Sequence, residues 1–94
     1  MVAQDPANSF ARYGLAMEYA KLGELALAVT EFQELISKDP NYSAAYYHGG
    51  QTLEKLGRVD EARTIYEKGI EATLRSGDAH TRAEIEAALS LLPI

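Results

Sequence analysis

Two histidines and fourteen acidic residues are the side chains in this sequence that could carry acid–base or metal chemistry. His48 and His80 lie far apart in the chain, and neither belongs to an H-E-x-x-H pattern, which places two imidazoles on one helix face to bind zinc. The acidic residues are spread through both halves, which is typical of a solvated surface rather than of paired catalytic carboxylates. We therefore predict that both histidines are surface or packing residues and that there is no metal site.

Other signatures of catalysis are also absent from the sequence. It contains neither the G-x-x-x-x-G-K-[ST] phosphate loop nor the G-x-S-x-G nucleophile turn, and Gly49-Gly50 belongs to no phosphate-binding pattern. The lack of cysteine excludes disulfides, thiolate metal sites and thiol chemistry. The sequence predicts a protein that is not an enzyme, with no catalytic residues and no cofactor.

Composition and charge restrict the class of partner. The 94 residues, 47% of them apolar and 24% charged, are typical of one small globular domain. Nine basic residues against fourteen acidic ones give a net charge of -5, which argues against nucleic-acid or anionic-membrane binding. No apolar run approaches the roughly 18 residues of a membrane span, and residues 1–6 do not resemble a secretory signal. We expect a cytoplasmic protein.

The sequence repeats itself at a shift of 34 residues. Residues 5–42 and 39–76 share eleven identities, where composition alone would give about two or three. A fixed period of this length is typical of stacked helical units. The identical pairs are Asp5/Asp39, Pro6/Pro40, Ser9/Ser43, Ala11/Ala45, Tyr13/Tyr47, Lys21/Lys55, Leu22/Leu56, Gly23/Gly57, Ala28/Ala62, Thr30/Thr64 and Ile36/Ile70.

Apolar residues recur at helical spacing on both sides of Gly23 and Gly57, so each copy is predicted to be two helices joined at its glycine. The predicted apolar stripes of the first copy are Ala11, Leu15, Tyr19 and Leu22, then Leu25, Ala28, Val29, Phe32, Leu35 and Ile36. Those of the second copy are Ala45, Tyr46, Gly49, Gly50 and Leu53, then Ala62, Ile65, Tyr66, Gly69, Ile70 and Leu74.

Helix boundaries follow from capping residues and from a fifth apolar stripe. Asp39-Pro40 should end the second helix, and Ser76-Gly77 the fourth. Asp60 is the expected N-cap of the fourth helix. A closing helix near 78–92 should begin either at Asp78 or at a capping box of Thr81 and Glu84. Its stripe is Ile85, Ala88, Leu89 and Leu92.

These residues resemble the tetratricopeptide repeat family, whose 34-residue unit carries W-x2-L-G-x2-Y, then A-x3-F, then P. The first copy reads Arg12-x2-Leu15-Ala16-x2-Tyr19, then Ala28-x3-Phe32, then Pro40. The second reads Tyr46-x2-Gly49-Gly50-x2-Leu53, then Ala62-x3-Tyr66, with Leu74 in place of the proline. The resemblance implies a single all-α domain over 1–94, a right-handed α-solenoid of two helix-turn-helix repeats (about 9–42 and 43–76) closed by a capping helix (about 78–92).

The resemblance also implies a concave groove lined by the first helix of each repeat, and hence a module that binds a peptide or partner protein segment. The family's basic clamp for a peptide carboxylate is not expected, because only Arg82 fits among Tyr13, Met17, His48, Asp78 and Arg82. The residues implied to line the groove are Phe10, Tyr13, Met17, Lys21, Tyr47, Gln51, Glu54, Lys55 and Arg82.

Two alternatives stay open from the sequence. Tyr13 and Tyr47 recur one period apart, either as exposed binding residues or as a cover over neighbouring side chains. Two repeats are fewer than the three or so that such arrays usually need, so the chain is alternatively a structural module that forms a homodimer through its closing helix and apolar C-terminus.

Overall fold

The computed structural model describes residues 6–93, which form five helices and no strand. Each helix packs against the next, so the chain builds two helix hairpins and a closing helix in sequence order. Of the residues described, none belongs to a helix long and apolar enough to cross a membrane. The helices are α1 (Pro6–Lys21), α2 (Leu25–Lys38), α3 (Ser43–Lys55), α4 (Val59–Ser76) and α5 (Ala79–Ser90).

The turns lie where the sequence places them, with one exception. Gly23, Gly57 and Gly77 have φ values of +82°, +77° and +73°, the left-handed conformation that ends a helix and that side chains with a Cβ rarely adopt. The prediction of Asp60 as an N-cap is wrong, because α4 begins at Val59 and Asp60 lies in its first turn. Arg58 precedes the helix, and its Nε donates a hydrogen bond of 2.5 Å to Oε2 of Glu61 in the first turn.

Two adjoining clusters form the core, one between the hairpins and one beneath the closing helix. The stripes predicted for α2 and α3 are buried or half-buried throughout, and Ile85 anchors α5. The first cluster contains Ala16, Ala28, Phe32, Leu35 and Ala45. The second contains Val29, Tyr46, Leu53, Ala62, Tyr66, Ala72, Ile85 and Leu92.

The stripe predicted for α1 is largely wrong. Ala11 is exposed, and Leu15 and Leu22 are 44% and 68% exposed. These residues face outward because no described helix precedes α1, whereas α3 lies between α2 and α4 and is covered on both sides. Leu74 is exposed too, since it lies about 100° further round α4 than the buried Thr73.

Helix α3 packs tightly because its centre has no side chains. A Cβ on Gly50 would overlap the buried ring of Tyr66, lying 2.6 Å from its Cδ1. A Cβ on Gly49 would lie 3.3 Å from that of Phe32. Gly50 therefore makes room for an aromatic ring of α4, and Gly49, for which the sequence suggests no reason, allows α2 to approach from the other side.

Gly50→Ala is expected to destabilise the protein by about 1–3 kcal/mol, because the ring of Tyr66 must move within a packed core. This cost should outweigh the roughly 1 kcal/mol that alanine gains over glycine in a helix. Urea unfolding followed by circular dichroism measures the change. Gly14→Ala is the matched control, since a Cβ at Gly14 has no atom within 4 Å, and it should be neutral or stabilising. Equal stability of the two variants would contradict the packing argument.

Asp78 caps α5, where its Oδ1 accepts a hydrogen bond of 3.1 Å from the backbone N–H of Thr81. This bond holds the pKa of the Asp78 carboxyl below its usual range. Asp78→Ala should lower the free energy of unfolding by about 1 kcal/mol, whereas Asp78→Asn keeps a good cap and should cost much less. Thermal unfolding of both variants at neutral pH separates the two outcomes, and identical losses would show that the cap is not the cause.

Candidate binding groove

The solenoid is curved, with α1, α3 and α5 on its inner side. The backbone of α3 lies close to those of α1 and α5, whereas among the residues described no Cα atom of α2 lies within 8 Å of one in α4. A cleft of about 440 Å³ separates these two outer helices, with Ile36, Tyr46 and Ile65 among its lining residues. Because the inner helices lie closer together than the outer ones, the α1/α3/α5 side forms the concave surface, which we call the groove.

Aromatic rings pack against one another where α1 meets α3. The ring of Tyr13 lies 5.4 Å from that of Tyr42 and 5.8 Å from that of His48, measured between centroids. The ring of Tyr47 lies 5.1 Å from that of His48 in a T-shaped arrangement. Beneath them, the buried ring of Phe32 lies 6.4 Å from Tyr13. These four rings above Phe32 form a half-buried surface, which we call the aromatic row (Tyr13, Tyr42, Tyr47 and His48).

Burial and nearby charges shift the pKa values of His48 and Tyr13 in the aromatic row. Burial lowers the pKa of His48, an effect that Glu84 opposes and Lys55 reinforces. Burial also raises the pKa of Tyr13, and Tyr42 and Glu84 raise it further. At neutral pH Tyr13 and His48 are therefore uncharged, with the carboxylate of Glu84 on α5 within electrostatic range of both.

The residues implied to line the groove fall into two sets. Tyr13, Met17, Tyr47 and Gln51 are half-buried, and the first two pack against the first core cluster. The side-chain amide of Gln51 donates a 3.0 Å hydrogen bond to the hydroxyl of Tyr47. The others surround these residues with accessible side chains, of which Phe10 is 69% exposed. The accessible set is Phe10, Lys21, Glu54 and Lys55, with Arg82 half-buried on α5.

Glu54 has a structural contact as well as an accessible position. Its carboxylate accepts a hydrogen bond from the hydroxyl of Tyr66, the largest fully buried side chain. Burial raises the pKa of Tyr66, and the bond to Glu54 adds to the increase. The hydroxyl thus stays protonated, and Glu54 is held at the end of α3 by the core beneath it.

Sequence reasoning did not place Tyr42 or Glu84 in this region, and it predicted His48 only as a surface or packing residue, which is how the half-buried ring packs here. Tyr42 precedes α3, and His48 replaces a glycine of the first copy, so the repeat itself offers no signal for either. Glu84 depends on how α5 packs. Its carboxylate lies 3.7 Å from Nε2 of His80, which is highly exposed. Within residues 6–93, no three acidic or imidazole side chains are grouped to hold a metal ion.

Known proteins share this fold and its sequence pattern. Residues 13–79 match the tetratricopeptide repeat family. A tetratricopeptide repeat domain protein from Salinibacter ruber has a solution structure with a TM-score of 0.83 and 37% identity, covering 92% of this chain and 87% of that one. Its crystal structure gives a TM-score of 0.81 at 36% identity and covers 92% of both chains.

A curated relative places the same pattern within a much longer protein. Protein DIA2 of Eremothecium gossypii is 32% identical over 79 residues, which make up 84% of this chain but only 11% of that protein. This chain therefore spans about a tenth of the relative's length. The match over residues 13–79, together with the five stacked helices, shows that the chain belongs to the tetratricopeptide repeat family.

Proposed function

We propose that this chain is a non-catalytic protein–protein interaction module that holds a peptide or partner segment in its groove. Tetratricopeptide repeat domains are generally modules of this kind. The observation that carries the proposal is the aromatic row, which leaves four rings partly open to solvent on the concave side. Large rings held in place by a core offer contact area with little further loss of conformational freedom.

The polar residues beside the row indicate the chemistry of the partner. Lys55 of α3 and Arg82 of α5 supply positive charge, and Glu84 of α5 supplies negative charge. A groove of mixed charge suits the backbone and side chains of an extended or helical segment better than a terminal carboxylate. Asp78 supports this choice, because its negative charge would repel a carboxylate and its side chain already caps α5.

Phe10 and Met17 extend the apolar part of the groove along α1. Phe10 is exposed, so an apolar side chain of the partner can cover it without moving the core. Met17 is half-buried and unbranched, which lets it adjust to partners of different shape. We therefore expect the partner to place an apolar or aromatic residue over Phe10 and hydrogen-bonding groups near Gln51.

Peptides selected from a random display library against the folded protein test this function. Phe10→Ser and Gln51→Ala should each weaken a selected peptide at least tenfold, because both remove groove contacts without reaching the buried core. Isothermal titration calorimetry measures the affinity. Tyr13→Ala is a poorer choice, since Tyr13 packs on Phe32 and its loss would also destabilise the fold.

The control variants for this test lie on the convex side. Gln33→Ala and Lys68→Ala change the cleft between α2 and α4 and should leave the affinity within about twofold of the original. Thermal unfolding of every variant checks that the fold is retained. Peptides that lose affinity with the convex variants and not with Phe10→Ser would overturn the groove as the binding site.

The alternative, self-association through the closing helix, has less support from packing. Ile85 and Leu92 of this segment are buried in the chain's own core, and Leu91 is its one large aliphatic residue that is highly exposed among those described. Light scattering of the original protein and of Leu91→Ser separates the two functions. A dimer that Leu91→Ser dissociates would favour the alternative.

The folded protein should lose stability in mild acid because of His48. Its pKa in the folded protein is lowered below the usual 6.5, so the unfolded chain binds a proton at a higher pH than the folded chain does. The free energy of unfolding should therefore fall as the pH drops through 6.5 toward the folded pKa. Urea unfolding measured at intervals from about pH 7 to pH 5 follows this fall.

Two glutamine variants assign this pH dependence. His48→Gln should flatten the profile, whereas His80→Gln should leave it nearly unchanged because that side chain is 88% exposed. Both variants keep a polar side chain of similar size. A profile that stays equally steep in His48→Gln would show that another group is responsible.

A further inference from the structure

Tyr13 lies between Tyr42 and His48 in the aromatic row. Its ring has three aromatic neighbours, which are Tyr42, His48 and the buried Phe32, at centroid distances of 5.4, 5.8 and 6.4 Å. Their planes are inclined to that of Tyr13 by 42° to 60°. Parallel stacked rings cover one another's faces, whereas inclined rings do not. The half-buried rings of Tyr13, Tyr42 and His48 therefore keep part of their π faces open on the concave side.

Carboxylates act on this part of the row. Burial raises the pKa of Tyr13, and Tyr42 and Glu84 raise it further. Burial likewise raises the pKa of Tyr42, and Asp39 adds to the increase. Glu84 also raises the pKa of His48, against the larger effect of burial. Both phenols thus stay protonated at neutral pH, and each lies within electrostatic range of a carboxylate.

The surroundings change along the row, whose ring contacts run in the order Tyr42, Tyr13, His48 and Tyr47. Lys55 lowers the pKa of His48, adding to the larger effect of burial. A positive charge on a partner would therefore be attracted to the end formed by Tyr42 and Tyr13, where two carboxylates act, and repelled nearer Lys55.

A partly open ring face beside a carboxylate suits a cation. The π face of a tyrosine is negative and attracts a guanidinium or ammonium group within about 6 Å of the ring centroid. A guanidinium fits best, because it is planar and can lie flat on a ring while it donates hydrogen bonds in its own plane to a carboxylate. Glu84 is accessible to such a group. Its side chain is 41% exposed and lies 3.7 Å from His80, whose exposed side chain can move aside.

We propose that the groove recognises an arginine of its partner, with the guanidinium against the rings of Tyr13 and Tyr42 and hydrogen-bonded to the carboxylate of Glu84. This inference rests on the proposed function, since it assigns one side chain of the segment that the groove holds. A partner segment of net positive charge also complements the chain's own charge of -5. The arginine contact is separate from the apolar contact over Phe10.

The peptides selected from the random display library test the arginine directly. Each is made again with its arginines replaced one at a time by citrulline, which keeps the planar shape and most of the N–H donors but has no charge. The selected peptides should contain arginine, and one citrulline should weaken binding about tenfold by calorimetry. Glu84→Gln should cause a similar loss with the arginine peptide, but a loss below about twofold with the citrulline peptide, because the two changes remove one interaction.

Glu86→Gln is the matched control for Glu84→Gln. Glu86 is exposed and lies two residues further along α5, about 200° round the helix, so its variant should bind within about twofold of the original protein. Thermal unfolding checks that both variants keep the fold.

Two results would separate this inference from the function beneath it. Peptides that lose affinity with Phe10→Ser but contain no arginine, tolerate citrulline, or show independent effects of citrulline and Glu84→Gln would overturn the arginine contact and leave the groove as the binding site. A library that yields no peptide sensitive to Phe10→Ser would overturn the proposed function and the arginine contact together.

Discussion

Helix α3 lies against α2 on one side and α4 on the other, and the fold depends on how closely both can approach. Gly49 admits Phe32 and Gly50 admits Tyr66, so two aromatic side chains pack on a helix whose centre is bare backbone. Two adjacent glycines weaken an isolated helix by about 2 kcal/mol relative to alanine. The contacts they allow must offset this cost, since Phe32 and Tyr66 are both fully buried. The position of α3 in turn sets where the groove's rings can meet.

The fold was largely predictable because glycines in the sequence mark the ends of the helices. Gly23, Gly57 and Gly77 need a left-handed backbone, and such positions are visible in a sequence without any knowledge of packing. The stripes of α2 and α3 were equally clear, because both helices are covered along the faces that their apolar residues define. The prediction of Asp60 as an N-cap was wrong because an acidic residue is as favourable in the first turn of a helix as at its N-cap.

The groove was less predictable than the fold because its contacts join residues that share no pattern. Tyr13 and Tyr47 are one period apart, yet Tyr13 packs on Phe32 and Tyr42 while Tyr47 bonds to Gln51. Their identical position in the repeat does not give them identical neighbours, since α2 packs against α3 while no described helix precedes α1. Both tyrosines cover neighbouring side chains and are half-buried, and their role as binding residues stays a prediction.

The difference between the neighbours of α1 and those of α3 also explains the largest error in the predicted core. A repeated sequence specifies the same face on α1 and α3, but only α3 has a preceding helix among the residues described. Leu15 and Leu22 are apolar, as the predicted stripe of α1 requires. Arg12 and Glu31 take the places of Tyr46 and Ile65 of the second copy. The side chains of Arg12 and Glu31 form a 3.0 Å ion pair between α1 and α2.

This ion pair adds little stability because it lies on a partly exposed surface. The first hairpin thus carries a partly exposed ion pair as well as exposed leucines. Helix α3, by contrast, is buried or half-buried along most of its length because it packs against α2 on one side and α4 on the other.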